Sequence, residues 1–102
     1  MRIGKEMISN FHYNGQTYWL KDSVTCEVDR VKSKGETLWI YHVATFQIWG
    51  LGKTRYEAEE TLGESFHVQI DDLLDESDDN LTLDAIRLRD RLRDCLVAGT
   101  IK

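Results

Sequence analysis

Gly52-Lys53-Thr54-Arg55-Tyr56-Glu57-Ala58 is the stretch on which the fold of this 102-residue chain turns. Thr54 suits an N-cap, and Glu57, three residues on, completes a capping box in which each side chain satisfies a backbone N–H that the first helical turn leaves open. A helix is therefore predicted to start at residue 55. Downstream, Ala58, Leu62, Phe66, Ile70 and Leu74 recur every fourth residue, with Leu73 widening the stripe. That spacing keeps one apolar face toward a core. Gly63 lies inside the helix and costs about 1 kcal/mol against Ala there, so close packing against a sheet is expected at that position.

The same stretch contains Gly52-Lys53-Thr54 before a helix, the ending of a phosphate-binding loop. The full pattern places another Gly five residues before the Gly-Lys pair. Position 47 is Gln47, so the backbone cradle is missing and nucleotide binding is not expected.

Upstream of the joint the residues read as strands. Residues 6–13 and 16–20 flank Asn14-Gly15, the preferred pair for a two-residue hairpin turn because both positions take positive φ. In residues 23–32, Val24, Cys26 and Val28 alternate with Thr25, Glu27 and Asp29, the pattern of a strand with one buried face. Ser33-Lys34-Gly35 is a turn. Residues 36–43 are apolar on both faces, which predicts a central strand covered on two sides. Residues 45–50 form a further strand, joined to its predecessor by a tight hairpin or by a bulge. After the helix, Glu76-Ser77-Asp78-Asp79-Asn80 breaks the pattern. Thr82 caps a second helix with Ala85, Leu88, Leu92, Cys95 and Leu96 as its apolar stripe, and Ala98-Gly99 is a natural stop. The expected fold is α+β: an antiparallel meander of four to five strands followed by two helices. It is expected to form a single domain, 1–102, with an N-terminal hairpin at 1–22, a core at 23–75 and a C-terminal helix at 81–98.

The length suits one hydrophobic core. Hydrophobic residues make up 41% and there is no Pro, which favours a packed domain over a disordered chain. No apolar run approaches the roughly 20 residues of a membrane helix, and the N-terminus lacks a signal-peptide core. A cytoplasmic protein with no membrane partner is expected. Cys26 and Cys95 are read as reduced, partly buried thiols.

The net charge of −5 is unevenly spread. Residues 1–50 hold six Lys/Arg against five Asp/Glu, a net of +1, whereas residues 53–79 hold two against ten, a net of −8. The acidic segment repels phosphates and argues against direct nucleic-acid binding there. It would steer a basic protein. The alternative is a solvated helix face that keeps the chain soluble. In the second helix, Arg87, Arg89, Arg91 and Arg93 fan across a wide arc. Asp84, Asp90 and Asp94 interleave with them, giving helical pairs such as Arg87 with Asp90 and Arg91 with Asp94. That predicts a salt-bridged solvent face, with contact to an acidic surface as the functional alternative.

No catalytic constellation stands out. His12, His42 and His67 form no His pair at helical spacing, and residues 75–80 lack the spaced oxygen ligands and central Gly of a calcium loop. His42 reads as a sheet-face or core histidine. Trp19, Trp39 and Trp49 fall on strands and read as core or dimer packing. No cofactor, metal or enzymatic activity is expected.

Residues 38–62, LWIYHVATFQIWGLGKTRYEAEETL, resemble the HicB-like antitoxin family, whose members show a strand meander and then a G-x-T-x-x-E-A step into a helix. Gly52, Thr54, Glu57 and Ala58 match that step. The resemblance is firm over these 25 residues, about a quarter of the chain, and looser over residues 23–75. It implies a partial ribonuclease-H-like fold, oligomerisation, and masking of a small basic toxin that cleaves RNA. Two features depart from the family. The Pro-containing segment before the motif is reduced to Val43-Ala44-Thr45, and one Arg-rich helix stands where relatives often carry a DNA-binding module. The functional expectation is a non-catalytic protein-binding module, antitoxin-like, and a homodimer. The alternative is a phage or mobile-element inhibitor that blocks a nucleic-acid-binding protein with an acidic surface. Partner contacts are expected at Glu60, Glu64, Asp71, Asp75, Arg87 and Arg91.

Overall fold

The computed structural model describes residues 2–97, with side chains from residue 4 onward. Four strands, β1 (Arg2–Tyr13), β2 (Gln16–Ser33), β3 (Glu36–Val43) and β4 (Ile48–Gly52), form one antiparallel sheet in the order β1-β2-β3-β4. Helix α1 (Arg55–Leu73), a short 3-10 turn (Asp78–Asn80) and helix α2 (Leu83–Cys95) follow. The α+β class and the meander-then-helices order are those expected.

Turn chemistry fixes the hairpins. Asn14 and Gly15 have φ of 51° and 82°, and Lys34 and Gly35 have 53° and 79°. Each pair thus takes the doubly positive φ of the tight turn that matches strand twist. The connection after β3 is a hairpin: residues 44–47 turn, with Gln47 at φ 55°, and β4 runs to Gly52. Phe46 sits fully buried within that turn.

Several boundaries differ from expectation; the strand expected at 45–50 is β4, Ile48–Gly52, because residues 44–47 form the turn. Residues 16–20 and 23–32 belong to one strand, β2, so the predicted division at residue 22 falls inside a continuous element. The polar run Lys21-Asp22-Ser23 is carried through as an irregularity, since Ile8 pairs with Val24 while Asn10 pairs with Trp19. The second helix ends at Cys95, where Leu96 turns extended and bridges Leu20. The Val97 N–H donates to the Trp19 carbonyl at 2.9 Å. The tail of α2 therefore occupies the part of β2 that β3 does not reach. The expected stop at Ala98-Gly99 lies outside the described residues.

The core sits between one face of the sheet and α1. Phe66 is its hub, stacked on Phe11 at 4.2 Å between ring centroids and edge-on to Tyr18 and Phe46 at 5.5 and 5.3 Å. Of the predicted stripe, Ala58, Leu62, Phe66 and Ile70 are buried, whereas Leu73 and the C-cap residue Leu74 are only partly buried at the end of the helix.

Among the described residues no helix lies over the opposite face of the sheet. Cross-strand partners there are Val31 with Leu38, Ile40 with Leu51, and His42 with Trp49. This corrects the reading of residues 36–43 as covered on two sides: Leu38, Trp49 and Leu51 are exposed. Both helices follow the meander without crossing beneath it, so only one face is covered.

Candidate protein-binding site

The joint between sheet and helix works as its residues suggest. Thr54 Oγ1 accepts the Glu57 N–H at 3.1 Å, and Glu57 Oε2 accepts the Lys53 N–H at 3.2 Å. The reciprocal bond thus reaches one residue further back than in the usual box. A Cβ on Gly52 would lie 2.5 Å from Glu57 Cβ, and one on Gly50 would lie 2.2 Å from the Ala58 carbonyl oxygen. The two glycines let the first turns of α1 lie directly on β4. Further along, a Cβ on Gly63 would come within 1.8 Å of the His12 carbonyl oxygen. The helix therefore touches both edge strands, which draws β1 toward its acidic side.

A groove of about 1130 Å³ opens between β1 and α1. Glu6 to Gly15 line one wall, Tyr56, Glu57, Glu59, Glu60 and Glu64 line the other, and Tyr41, Leu51 and Gly52 also contribute. Arg55 bridges the two walls through an ion pair with Glu6 and donates from Nε to the Tyr41 hydroxyl at 2.9 Å. Its guanidinium carbon also lies 5.3 Å from the centroid of the Trp39 ring, a cation–π contact. The Tyr41 hydroxyl in turn approaches Glu59 Oε1 at 3.4 Å. Burial raises the Tyr41 hydroxyl above its ordinary pKa, with the Arg55 hydrogen bond opposing the shift. Glu60 and Glu64 are exposed and, among the described residues, have neither an ion pair nor a hydrogen bond. One helical turn apart, they repel each other and leave their negative charge available to a ligand.

The other expected contact residues are dispersed. Asp71 Oδ2 lies 3.2 Å from His67 Nε2, one turn away on α1. Asp75 is exposed just beyond α1. Neither lines the groove. Arg87 pairs with Asp84 at 3.9 Å and is largely exposed. Arg91 donates to the Thr45 carbonyl at 2.8 Å, so it fastens α2 to the β3–β4 turn.

The arginine fan is corrected further. Arg89 is buried; its Nη1 lies 2.6 Å from Asp78 Oδ1 and 2.9 Å from the Glu76 carbonyl oxygen, and its other contacts go to Asp90. Arg93 donates to the Leu74 carbonyl at 2.6 Å. Asp90 thus pairs with its neighbour Arg89 rather than with Arg87. Three of the four arginines tie α2 to the rest of the molecule, which leaves Arg87 as the cation that projects from this helix.

The fold assembles one contact that the chain order conceals. The Tyr18 hydroxyl lies 2.5 Å from His67 Nδ1, with Asp71 on the other ring nitrogen, and Tyr13 stacks on the imidazole at 4.5 Å. Tyr18 is buried, and burial, then the charge of Asp71, raises its hydroxyl above the ordinary value. A buried phenol held in its protonated form is a structural donor rather than a nucleophile. Among the described residues, no group of three or more His, Cys, Asp or Glu is placed to hold a metal. Cys26 and Cys95 are both free thiols.

No family model matches the chain, and no curated protein or solved structure matches it.

Proposed function

We propose that this chain is a non-catalytic protein-binding module whose α1 acidic face receives a basic partner. The observation that carries this reading is the unpaired state of Glu60 and Glu64 beside the β1–α1 groove, while the arginines of α2 are mostly engaged within the molecule. Unneutralised charge along a groove attracts an oppositely charged protein and speeds its docking. The G-x-T-x-x-E-A step and the meander-then-helix order support a HicB-like, antitoxin-like role, in which the partner is a small basic protein that cleaves RNA. An acidic surface would serve equally in an inhibitor that occupies the nucleic-acid site of another protein.

The reading extends to a homodimer. Val31, Leu38, Trp49 and Leu51 present exposed apolar area on one sheet face, and such patches favour association. Light scattering at micromolar concentration should give twice the chain mass, and a monomer mass would remove the dimer from the proposal.

The test of the main reading is affinity capture with the full chain as bait. A small basic protein should be retained at low salt and released as salt rises. Charge-neutral Glu60→Gln/Glu64→Gln bait should retain much less. Retention of no basic protein, or equal retention by both baits, would overturn the proposal.

A further inference from the structure

The sheet has two edges, and the chain treats them differently. On β4, the Ser65 hydroxyl donates to the Trp49 carbonyl at 2.9 Å, and Thr61 Oγ1 lies 2.8 Å from the Leu51 carbonyl oxygen. Helix α1 thereby occupies acceptors that another strand would need. On β1, the opposite edge, no backbone group outside β2 forms a hydrogen bond among the described residues. An open edge is a template for a further strand, and proteins ordinarily block it. Here it faces the groove, with Glu60 and Glu64 across from it and Tyr56 and Met7 exposed at its rim.

We infer that the β1 edge between Glu6 and Phe11 takes an extended basic segment of a partner protein as an added antiparallel or parallel strand. This rests on the proposed basic-partner reading and adds to it the mode of binding. Main-chain hydrogen bonds to β1 supply affinity that is indifferent to sequence, and alternate side chains of the added strand supply selection. Those on the helix side meet Glu60 and Glu64, which favour Lys or Arg there. The six residues from Glu6 to Phe11 span roughly 20 Å at strand rise, so the segment needs about six to eight residues. The Arg55–Glu6 ion pair and the Gly63–His12 contact hold α1 against β1 at the two ends of this segment.

The test uses a fluorescein-labelled eight-residue peptide of alternating Lys and Val, with blocked ends, titrated with the full chain and read by anisotropy. The Lys–Val peptide should bind, and its Glu–Val counterpart should not. Methylating alternate backbone nitrogens on the pairing edge should weaken binding at least tenfold, because strand addition needs those N–H groups. The Glu60→Gln/Glu64→Gln variant should bind about 3- to 30-fold more weakly, the range set by two partly exposed charge pairs. Equal binding of the methylated peptide would overturn strand addition while leaving the basic-partner reading intact. So would failure of the Lys–Val peptide together with salt-sensitive capture of a basic protein by the full chain. Failure of both assays would overturn both.

Discussion

Replacing Gly63 with Ala sets two known effects against each other. In an exposed helix interior the change is favourable by about 1 kcal/mol, since Ala is the better helix former. At Gly63 the new Cβ would lie 1.8 Å from the His12 carbonyl oxygen and 2.9 Å from its carbon. A relaxed carbon–oxygen contact is about 3.3 Å, so α1 or β1 must give way by about 1.5 Å. The obstacle is backbone within a paired strand, and no rotamer change relieves it. Retreat of α1 would also loosen Leu62 and Phe66, one residue before and three after. Overpacking of this kind costs typically 1–3 kcal/mol and at times more. Taking the upper end against a backbone obstacle and subtracting the propensity gain, Gly63→Ala should lose about 2 kcal/mol. With urea slopes of about 1–3 kcal/mol per molar, the unfolding midpoint should fall by roughly 0.7–2 M. Glu64→Ala, next along the same helix and exposed, should change stability by less than about 0.5 kcal/mol. A midpoint for Gly63→Ala equal to or above that of the parent chain would refute the close approach of α1 to β1, and with it the shape of the groove.

Phe66→Ala removes the hub of the aromatic cluster and should cost about 3–5 kcal/mol in equilibrium unfolding. His67→Ala strands the buried Tyr18 hydroxyl and should cost about 1–3 kcal/mol. Tyr18→Phe, which leaves the partly exposed imidazole free to bond water, should cost less, and the reverse order in urea titrations would contradict a structural role for this pair. Cys26 has its thiol pushed by burial from 9.0 to about 11. Between those values the folded state holds the proton and the unfolded state releases it, so stability should fall as pH rises from 9 to 11, by roughly 2–3 kcal/mol. Tyr18 and Tyr41, both raised by burial, add to the decline above pH 10. Cys26→Ala should be less stable at neutral pH yet decline less steeply in alkaline denaturation curves. An identical alkaline slope in parent and variant would rule out this thiol as a source.

Local signals carried most of the fold. Asn14-Gly15 and the Thr54–Glu57 pair act within a few residues, where the chemistry of a turn or cap dominates, and α1 began where they placed it. The continuity of β2 was harder to read. Lys21-Asp22-Ser23 looks like a break, and its strand conformation depends on partners far along the chain, including the tail of α2 at Leu96 and Val97. The burial of Arg89 is masked in the sequence by the alternation of Arg and Asp, which suggests a solvent face. A signal was nonetheless present: Arg89 stands at helical spacing between Ala85 and Leu92, on the apolar line itself. A charge on that line needs an internal counter-charge, and Asp78, with the Glu76 carbonyl, supplies it from the 3-10 turn. The Tyr18–His67 contact joins residues 49 apart, so no local pattern could disclose it.

The acidic segment is where sequence and structure together sharpen the picture. As a string, residues 57–79 carry ten acids and no Lys or Arg, and partner contacts are expected at Glu60, Glu64, Asp71 and Asp75. Folding divides them. Glu57 caps α1, Glu59 lies near Tyr41, Asp71 holds His67, and Asp78 neutralises Arg89. Among the described residues Glu60, Glu64, Asp72, Asp75 and Asp79 have no such internal task, and of these Glu60 and Glu64 line the groove beside β1. Stability alone gives no reason to set two carboxylates one turn apart beside a strand edge that is open among the described residues, when the other edge is met by hydroxyls from the same helix. Capping both edges would better protect against aggregation. The asymmetry is intelligible if β1 is kept open for a strand whose charge makes the entry selective. A chain in which Glu60 and Glu64 are replaced by Gln should then keep its stability within about 0.5 kcal/mol while losing affinity for basic segments, a separation of folding from binding that a purely solubilising helix face would not produce.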